Sequence, residues 1–266
     1  METSRLISIT SPDDPRLAPY QNLKERELAR EGNRFIAESE LVVRRLLASD
    51  YPVESVVAGE TRAIELARIA RPDVPIYVAS RDLLQTVAGF KFHTGVIACA
   101  RRKQMPSVGE FARSLGPRAT LAVCPDLISA PNIGSLVRIC AALGVDAMLL
   151  GERCCDPFWR QSIRISVGTI FSLPILRSEN LLNDMALLRQ QHGFEMIATV
   201  ADANAAPLEQ MKRGSRIGIV FGNEWSGLKE KVVAACDHKV TIPMRTGIDS
   251  LNVSIAAGIF LYQFTR

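Results

Sequence analysis

Near the end of the chain, two apolar strands each run into a glycine-bearing polar loop, and this pairing constrains the fold more than any other feature. Residues 217–221 (IGIVF) open into Gly222, Asn223, Glu224, Ser226 and Gly227. Residues 239–242 (KVTI) open into Pro243, Arg245, Thr246, Gly247, Asp249, Ser250 and Asn252. An apolar helix follows over residues 252–262, with small Ala256, Ala257 and Gly258 inside it. In open α/β sheets, ligands bind in the crevice beyond the carboxyl ends of the strands. Two such loops so close in sequence therefore predict one shared pocket. Ordinary strand-to-helix connections have the same composition: Gly222 and Gly247 would then only supply positive φ, and Asp249 or Ser250 would only cap a helix. Loop composition does not separate these readings.

The rest of the chain alternates strand and helix. Residues 1–15 read as a loosely held lead-in. A helix is expected over 17–30, ended by Gly32 and Asn33. Then come a strand at 34–37, an amphipathic helix at 38–49, a strand at 53–58, a helix at 61–69, a strand at 75–78, a helix at 81–87 and a strand at 95–100. This is a small α/β domain over residues 1–105. Residues 106–117, with two prolines and two glycines, read as a linker in which Phe111 and Leu115 suggest a helical turn. The second domain spans 118–266. It opens with a strand at 120–124 and a helix through Leu143 for which Asn132 is the expected N-cap. Strands at 145–150, 171–176 and 194–200 alternate with helices at 160–167 and 181–191. Such alternation predicts a parallel sheet covered on both faces.

The chemistry is narrowed first by exclusion. No GxGxxG follows a strand, and GxxxxGK[ST], HExxH and GxSxG are absent. His93, His192 and His238 have no ligand spacing, so neither a metal site nor a histidine-based triad is expected. No apolar run approaches a membrane span, and the first residues lack the order of a signal peptide. Six cysteines without a CxxC pair fit reduced thiols in a cytoplasmic enzyme. The net charge of +4 is shared evenly by the two halves, and arginine outnumbers lysine, which suits phosphate contacts. Charge permits a nucleic-acid partner without demanding one.

FGNEWSGL, IPM and SLNVSIAAGIFLY, with PNIGSLVRICAALGVDAMLL upstream, resemble the three motifs of the SpoU (TrmH-like) family. These are S-adenosylmethionine-dependent RNA 2′-O-ribose methyltransferases of the SPOUT class. Order and spacing match over roughly residues 118–264. Two departures stand out: Trp225 occupies a usual glycine position, and Ala130-Pro131 replaces the common Asp-Pro. The resemblance implies a C-terminal SPOUT α/β domain with a trefoil knot, a homodimer to which the helix at 252–262 contributes, and a small N-terminal α/β domain that binds RNA.

By the same resemblance, Gly222, Ile242 and Leu251 match positions that contact the cofactor, with Met244 and Ser250 adjacent and Thr199 a lesser candidate. Asn132 and Arg138 match central catalytic residues, and Arg138 is expected to hold the target phosphate or polarise the hydroxyl. Glu224 and Ser250 match polar residues of the same site, and Asn252 completes the cluster. Lys91, His93, Arg101, Arg102 and Lys103 are the expected RNA-backbone contacts of the first domain, against a solvated basic surface as the alternative. Trp225 could stack on a base, narrow the pocket or pack. The expected function is methyl transfer to a ribose 2′-OH of structured RNA, rRNA ahead of tRNA. A catalytically silent RNA-binding homologue is the alternative. A nucleotide enzyme of ordinary doubly wound topology, a third possibility, lacks its phosphate loop.

Overall fold

The computed structural model describes residues 6–21, 23, 33–89, 95–245 and 250–265. Two compact units result, Met1–Gln104 with Pro157–Phe171, and Met105–Asp156 with Ser172–Arg266.

The first unit holds a five-stranded mixed sheet in the order β1-β4-β3-β5-β2. Its strands are β1 (Leu6–Ser8), β2 (Arg34–Glu38), β3 (Val53–Ala58), β4 (Ile76–Val78) and β5 (Val96–Arg101). β1, β4 and β3 run parallel, and β5 is antiparallel to both β3 and β2. Helices α1 (Glu40–Leu47), α2 (Glu60–Ile69) and α3 (Arg81–Ala88) connect the strands. α1 buries Val42, Val43, Leu46 and Leu47 on one stripe. α3 begins where the Ser80 hydroxyl accepts from the Leu83 N–H and ends at Gly89, whose φ of 72° suits only the left-handed region.

Two expectations near the start fail. The lead-in contains β1, because Leu6 and Ile7 extend the sheet along the edge of β4. In place of the start of the long helix stands a 3-10 turn, Pro15–Tyr20, with Pro19 inside it. Leu17 and Tyr20 are buried there, and the Tyr20 hydroxyl lies 2.7 Å from Ser55 Oγ. Residues 22 and 24–32 of the expected helix lie outside the described residues.

The segment Pro157–Phe171 belongs by its contacts to this first unit. Phe158 and Phe171 pack against Phe35 with ring centroids 5.1 and 5.7 Å away, and both also meet Tyr51. The short helix α6 (Arg160–Ile165) lies against β2, where Arg160 pairs with Glu38 at 3.1 Å. It stops two residues before the sequence suggests, at Val167 and Gly168 with φ of 54° and 80°.

The second unit contains seven strands, all parallel where paired, in the order β10-β12-β9-β11-β6-β7-β8. They are β6 (Ala119–Cys124), β7 (Ala147–Leu150), β8 (Ile175–Arg177), β9 (Phe194–Thr199), β10 (Ala206–Pro207), β11 (Arg216–Val220) and β12 (His238–Thr241). β6 and β7 are buried along their whole length, as continuous apolar runs in a covered parallel sheet require. The helices are α4 (Val108–Ser114), α5 (Ala130–Ala142), α7 (Leu181–His192), α8 (Glu230–Ala234) and α9 (Val253–Thr265).

α4 lies within the segment expected as a linker. Ser107 and Glu110 form a capping box that starts it, and Val108 and Ala112 join a core with Leu181, Met185 and Leu188 of α7. The Arg216 guanidinium fixes its exit by donating to the carbonyls of Leu115 and Gly116 at 2.7 and 2.9 Å.

Strand order positions the site. β12, β9, β11 and β6 are successive neighbours in the sheet. The loops leaving their carboxyl ends therefore converge, although they are far apart in the chain.

Candidate active site

Three of those loops and the start of α9 enclose a cavity of about 480 Å³. Its wall runs from Thr199 to Asp202, from Phe221 to Leu228, and through Ile242, Met244, Ser250, Leu251, Val253, Ala256 and Phe260. All six residues expected at the cofactor, Gly222, Ile242, Leu251, Met244, Thr199 and Ser250, line this one space. Residues 246–249, including Thr246, Gly247 and Asp249, lie outside the described residues. The sequence pairs two of these loops and offers Thr199 alone from the third, whose Val200, Ala201 and Asp202 join the wall because β9 lies between β12 and β11.

Gly222 does not have the positive φ that an ordinary strand-to-helix connection would give it. A Cβ on it would lie 2.6 Å from the Gly227 carbonyl carbon and 2.8 Å from the Leu228 nitrogen. The loop thus folds back against a bare backbone. Asn223 and Gly227 close it by exchanging two backbone hydrogen bonds of 2.9 Å, and Gly227 takes the positive φ of 63°. The Asn223 side chain fixes both ends. Its Nδ2 donates to the Asp126 carbonyl at 2.8 Å, and its Oδ1 accepts from the Trp225 N–H at 2.9 Å. Sequence reading placed Asn223 in the loop without a role. An amide beside a tight turn, able to hold backbone on two sides, was the available signal.

A chain of polar contacts stands at one side of the cavity. Asn132 Nδ2 donates to Glu224 Oε1 at 2.7 Å, and Asn252 Nδ2 donates to Asn132 Oδ1 at 3.2 Å. Asn132 is not the N-cap that the sequence suggests. Ser129 caps α5, its hydroxyl accepting from the Asn132 N–H at 3.4 Å. Ala130 and Pro131 form the first helical turn, where a missing N–H costs nothing. The Asn132 side chain is thereby released to reach Glu224. Glu224 Oε2 is buried, and among the described residues no hydrogen-bond donor reaches it. A carboxylate oxygen held in place without a partner is disposed to accept from a hydroxyl entering the site.

Arg138 sits farther along α5, exposed, and is not in the cavity wall. One chain thus brings Asn132, Glu224 and Asn252 together and leaves Arg138 apart. Trp225 stands at the cavity mouth with 89% of its surface exposed. Its indole neither packs nor fills the cavity, so it gives no ground for reading the site as blocked.

In the first unit Lys91 and His93 lie outside the described residues. Arg101 pairs with Glu54, and Lys103 pairs with Asp50 while its Nζ lies 4.4 Å from the centroid of Tyr51. The Arg102 guanidinium lies 5.2 Å from the centroid of Phe158. These three cations are thus partly engaged within their own unit. The neighbouring thiols Cys154 and Cys155 are pushed up to about 11 and about 12 by burial, which makes them poor nucleophiles near neutral pH. Among the described residues no group of His, Cys, Asp or Glu could hold a metal ion, and no helix is long and apolar enough to cross a membrane.

Residues 120–262 match the SpoU rRNA Methylase family model. The chain is 35% identical to an uncharacterized tRNA/rRNA methyltransferase of Mycobacterium bovis, over 97% of this chain and 91% of that protein. It is 27% identical to a 23S rRNA (guanosine-2′-O-)-methyltransferase of Acinetobacter baylyi, over 78% of this chain and 85% of that one. The crystal structure of an AdoMet-bound rRNA methyltransferase from Sinorhizobium meliloti superposes with a TM-score of 0.82 at 22% identity, covering 97% of both chains.

Proposed function

The chain belongs to the SpoU rRNA methylase family, and from that premise we propose that it methylates a ribose 2′-OH of structured RNA, rRNA rather than tRNA, with S-adenosylmethionine as donor. The observation that carries this reading is the Asn132–Glu224–Asn252 chain beside a glycine-collared cavity, with one carboxylate oxygen unpartnered among the described residues.

The cavity fits the donor in kind. Its volume of about 480 Å³ lies in the range of small-molecule sites. Ile242, Met244 and Leu251 offer apolar walls for a flat base, and the absence of a side chain on Gly222 preserves the loop that forms one wall. When bound, S-adenosylmethionine would supply an electrophilic methyl carbon on a sulfonium, open to in-line attack by oxygen with the C–S bond breaking and a neutral thioether as the leaving group. Everything else is positioning by the chain. Asn132 holds Glu224 through Oε1, and Asn252 fixes the amide of Asn132. Glu224 Oε2 accepts a hydrogen bond from the 2′-OH and draws on its proton as the oxygen attacks. Arg138, exposed on the same helix as Asn132, engages a phosphate of the RNA.

Assembly as a homodimer is part of this reading. Ile255, Ile259 and Tyr262 are exposed at i, i+4 and i+7 on α9, one apolar face of a helix whose opposite face is buried. The trefoil knot is proposed too, supported by β11 entering between β6 and β9. The first unit is proposed as the RNA-binding domain and the cytoplasm as the place of action.

The test is incubation with methyl-labelled S-adenosylmethionine and, separately, rRNA and tRNA from a strain lacking the gene. Label in an alkali-resistant dinucleotide of rRNA is expected. Label on a base, or no donor binding by calorimetry with or without RNA, refutes the proposal and leaves the silent RNA-binding reading.

A further inference from the structure

Trp225 has the least-buried large apolar side chain among those described, 89% exposed. It follows directly upon Glu224, another residue of the cavity wall. An indole in water forgoes the burial that ordinarily makes tryptophan favourable, yet its backbone is not left loose. The N–H of Trp225 is bonded to Asn223, the Asn223–Gly227 pair closes the loop around it, and Asn223 is tied to the Asp126 carbonyl. The ring is therefore presented by a rigid support.

Two cations stand beside the same support, both paired with one buried carboxylate. Asp126 Oδ2 is shared by Arg153 at 2.8 Å and Lys229 at 3.7 Å. Two cations thus share one carboxylate beside the loop. Single-stranded RNA is held by this combination, an aromatic face for a base and cations for the flanking phosphates.

We propose that Trp225 is a stacking platform for an unpaired nucleobase of the RNA substrate, with Arg153 and Lys229 holding the adjacent backbone. This deepens the methyltransferase reading and rests on it. A stacked base fixes where the 2′-OH of its nucleotide stands relative to Glu224. Trp225 is a positioning residue, not a catalytic one.

The chain has two tryptophans, so the fluorescence difference between wild type and Trp225→Phe isolates this indole. In the free protein that difference signal is quenched fully by iodide. Poly(U) quenches it, whereas inorganic polyphosphate, which has charge but no bases, leaves it unchanged. Trp225→Ala weakens poly(U) binding by roughly 5- to 150-fold, the range of one base–aromatic stack. It raises KM for RNA more than it lowers kcat. Trp225→Phe recovers most of the RNA affinity. Equal quenching by polyphosphate, unaltered RNA affinity in Trp225→Ala, or an indole already shielded from iodide by a second copy of the chain would each overturn the proposal. If donor binding and methyl transfer persist in those cases, the methyltransferase reading stands alone.

Discussion

Placing a side chain on Gly222 offers the sharpest test of how the cavity is built. With alanine the new Cβ lies 2.6 Å from the Gly227 carbonyl carbon, 2.8 Å from the Leu228 nitrogen and 2.9 Å from Gly227 Cα. All three are backbone atoms, so no side chain can rotate away. Ordinary contact begins at 3.4 Å, which requires the far limb of the loop to move by about 0.8 Å. That limb is held by the two 2.9 Å bonds of the Asn223–Gly227 pair, so moving it strains the pair and shifts Glu224 with it. Overpacking of this kind costs about 1–3 kcal/mol. Charged to donor binding, this is a loss of roughly 5- to 150-fold in affinity. Calorimetric titration with S-adenosylmethionine on Gly222→Ala and Gly222→Val reads it, with valine the worse, and thermal unfolding shows how much appears as lost stability. Gly227→Ala is the control. Its Cβ meets nothing within 4 Å, so only the left-handed backbone at φ 63° opposes it, at about 1–2 kcal/mol. Gly222→Ala that binds the donor within twofold of wild type and melts at the same temperature would refute the reasoning.

Asn132→Ala strips Glu224 Oε1 and Asn252 of their partner and should lower kcat/KM by roughly 5- to 150-fold, from about 1–3 kcal/mol for the groups left unpaired, with donor affinity little changed. Glu224→Gln should lower kcat while sparing donor affinity, measured by single-turnover methyl transfer. Ile255→Glu with Ile259→Glu should convert a dimer to a monomer in sedimentation; a wild type that sediments as a monomer refutes the dimer. Asp237 carries a pH dependence. Burial alone would raise its carboxyl, but the Arg189 guanidinium and the Met196 N–H hold it below the usual carboxylate value. A depressed pKa contributes stability that is present above about pH 4 and lost as pH falls through the folded value. Asp237→Asn should cost about 1.5–3 kcal/mol at neutral pH and flatten the acid side of the stability profile, read by urea unfolding from pH 3 to 7.

The sequence by itself determined the repeating strand-helix order and the two glycine loops, while its resemblance to the SpoU motifs singled out six residues that line one cavity. The order and the loops are legible because short apolar runs, helical periodicity and turn residues act over a few positions. Local signals also explain the misses. Asparagine ahead of an apolar stretch reads as a cap; Ser129 with Pro131 behind it offers an equally local cap, but nothing nearby shows that Asn132 is thereby left for Glu224, ninety-two positions away. Pro106, Gly109, Gly116 and Pro117 read as linker, although Val108 and Ala112 pack into a core with α7.

Tertiary structure alone decided that Pro157–Phe171 packs with the first unit, since what holds it there are rings on Phe35 and Tyr51 more than a hundred residues earlier. It also decided that β11 lies between β6 and β9, which brings the Asn132 helix, the Glu224 loop and the Asn252 helix to one point. Strand order follows from long-range burial and hydrogen bonding, and these carry no local pattern. The kinds of residue at the site were therefore written in the chain, but their meeting was fixed only by the sheet.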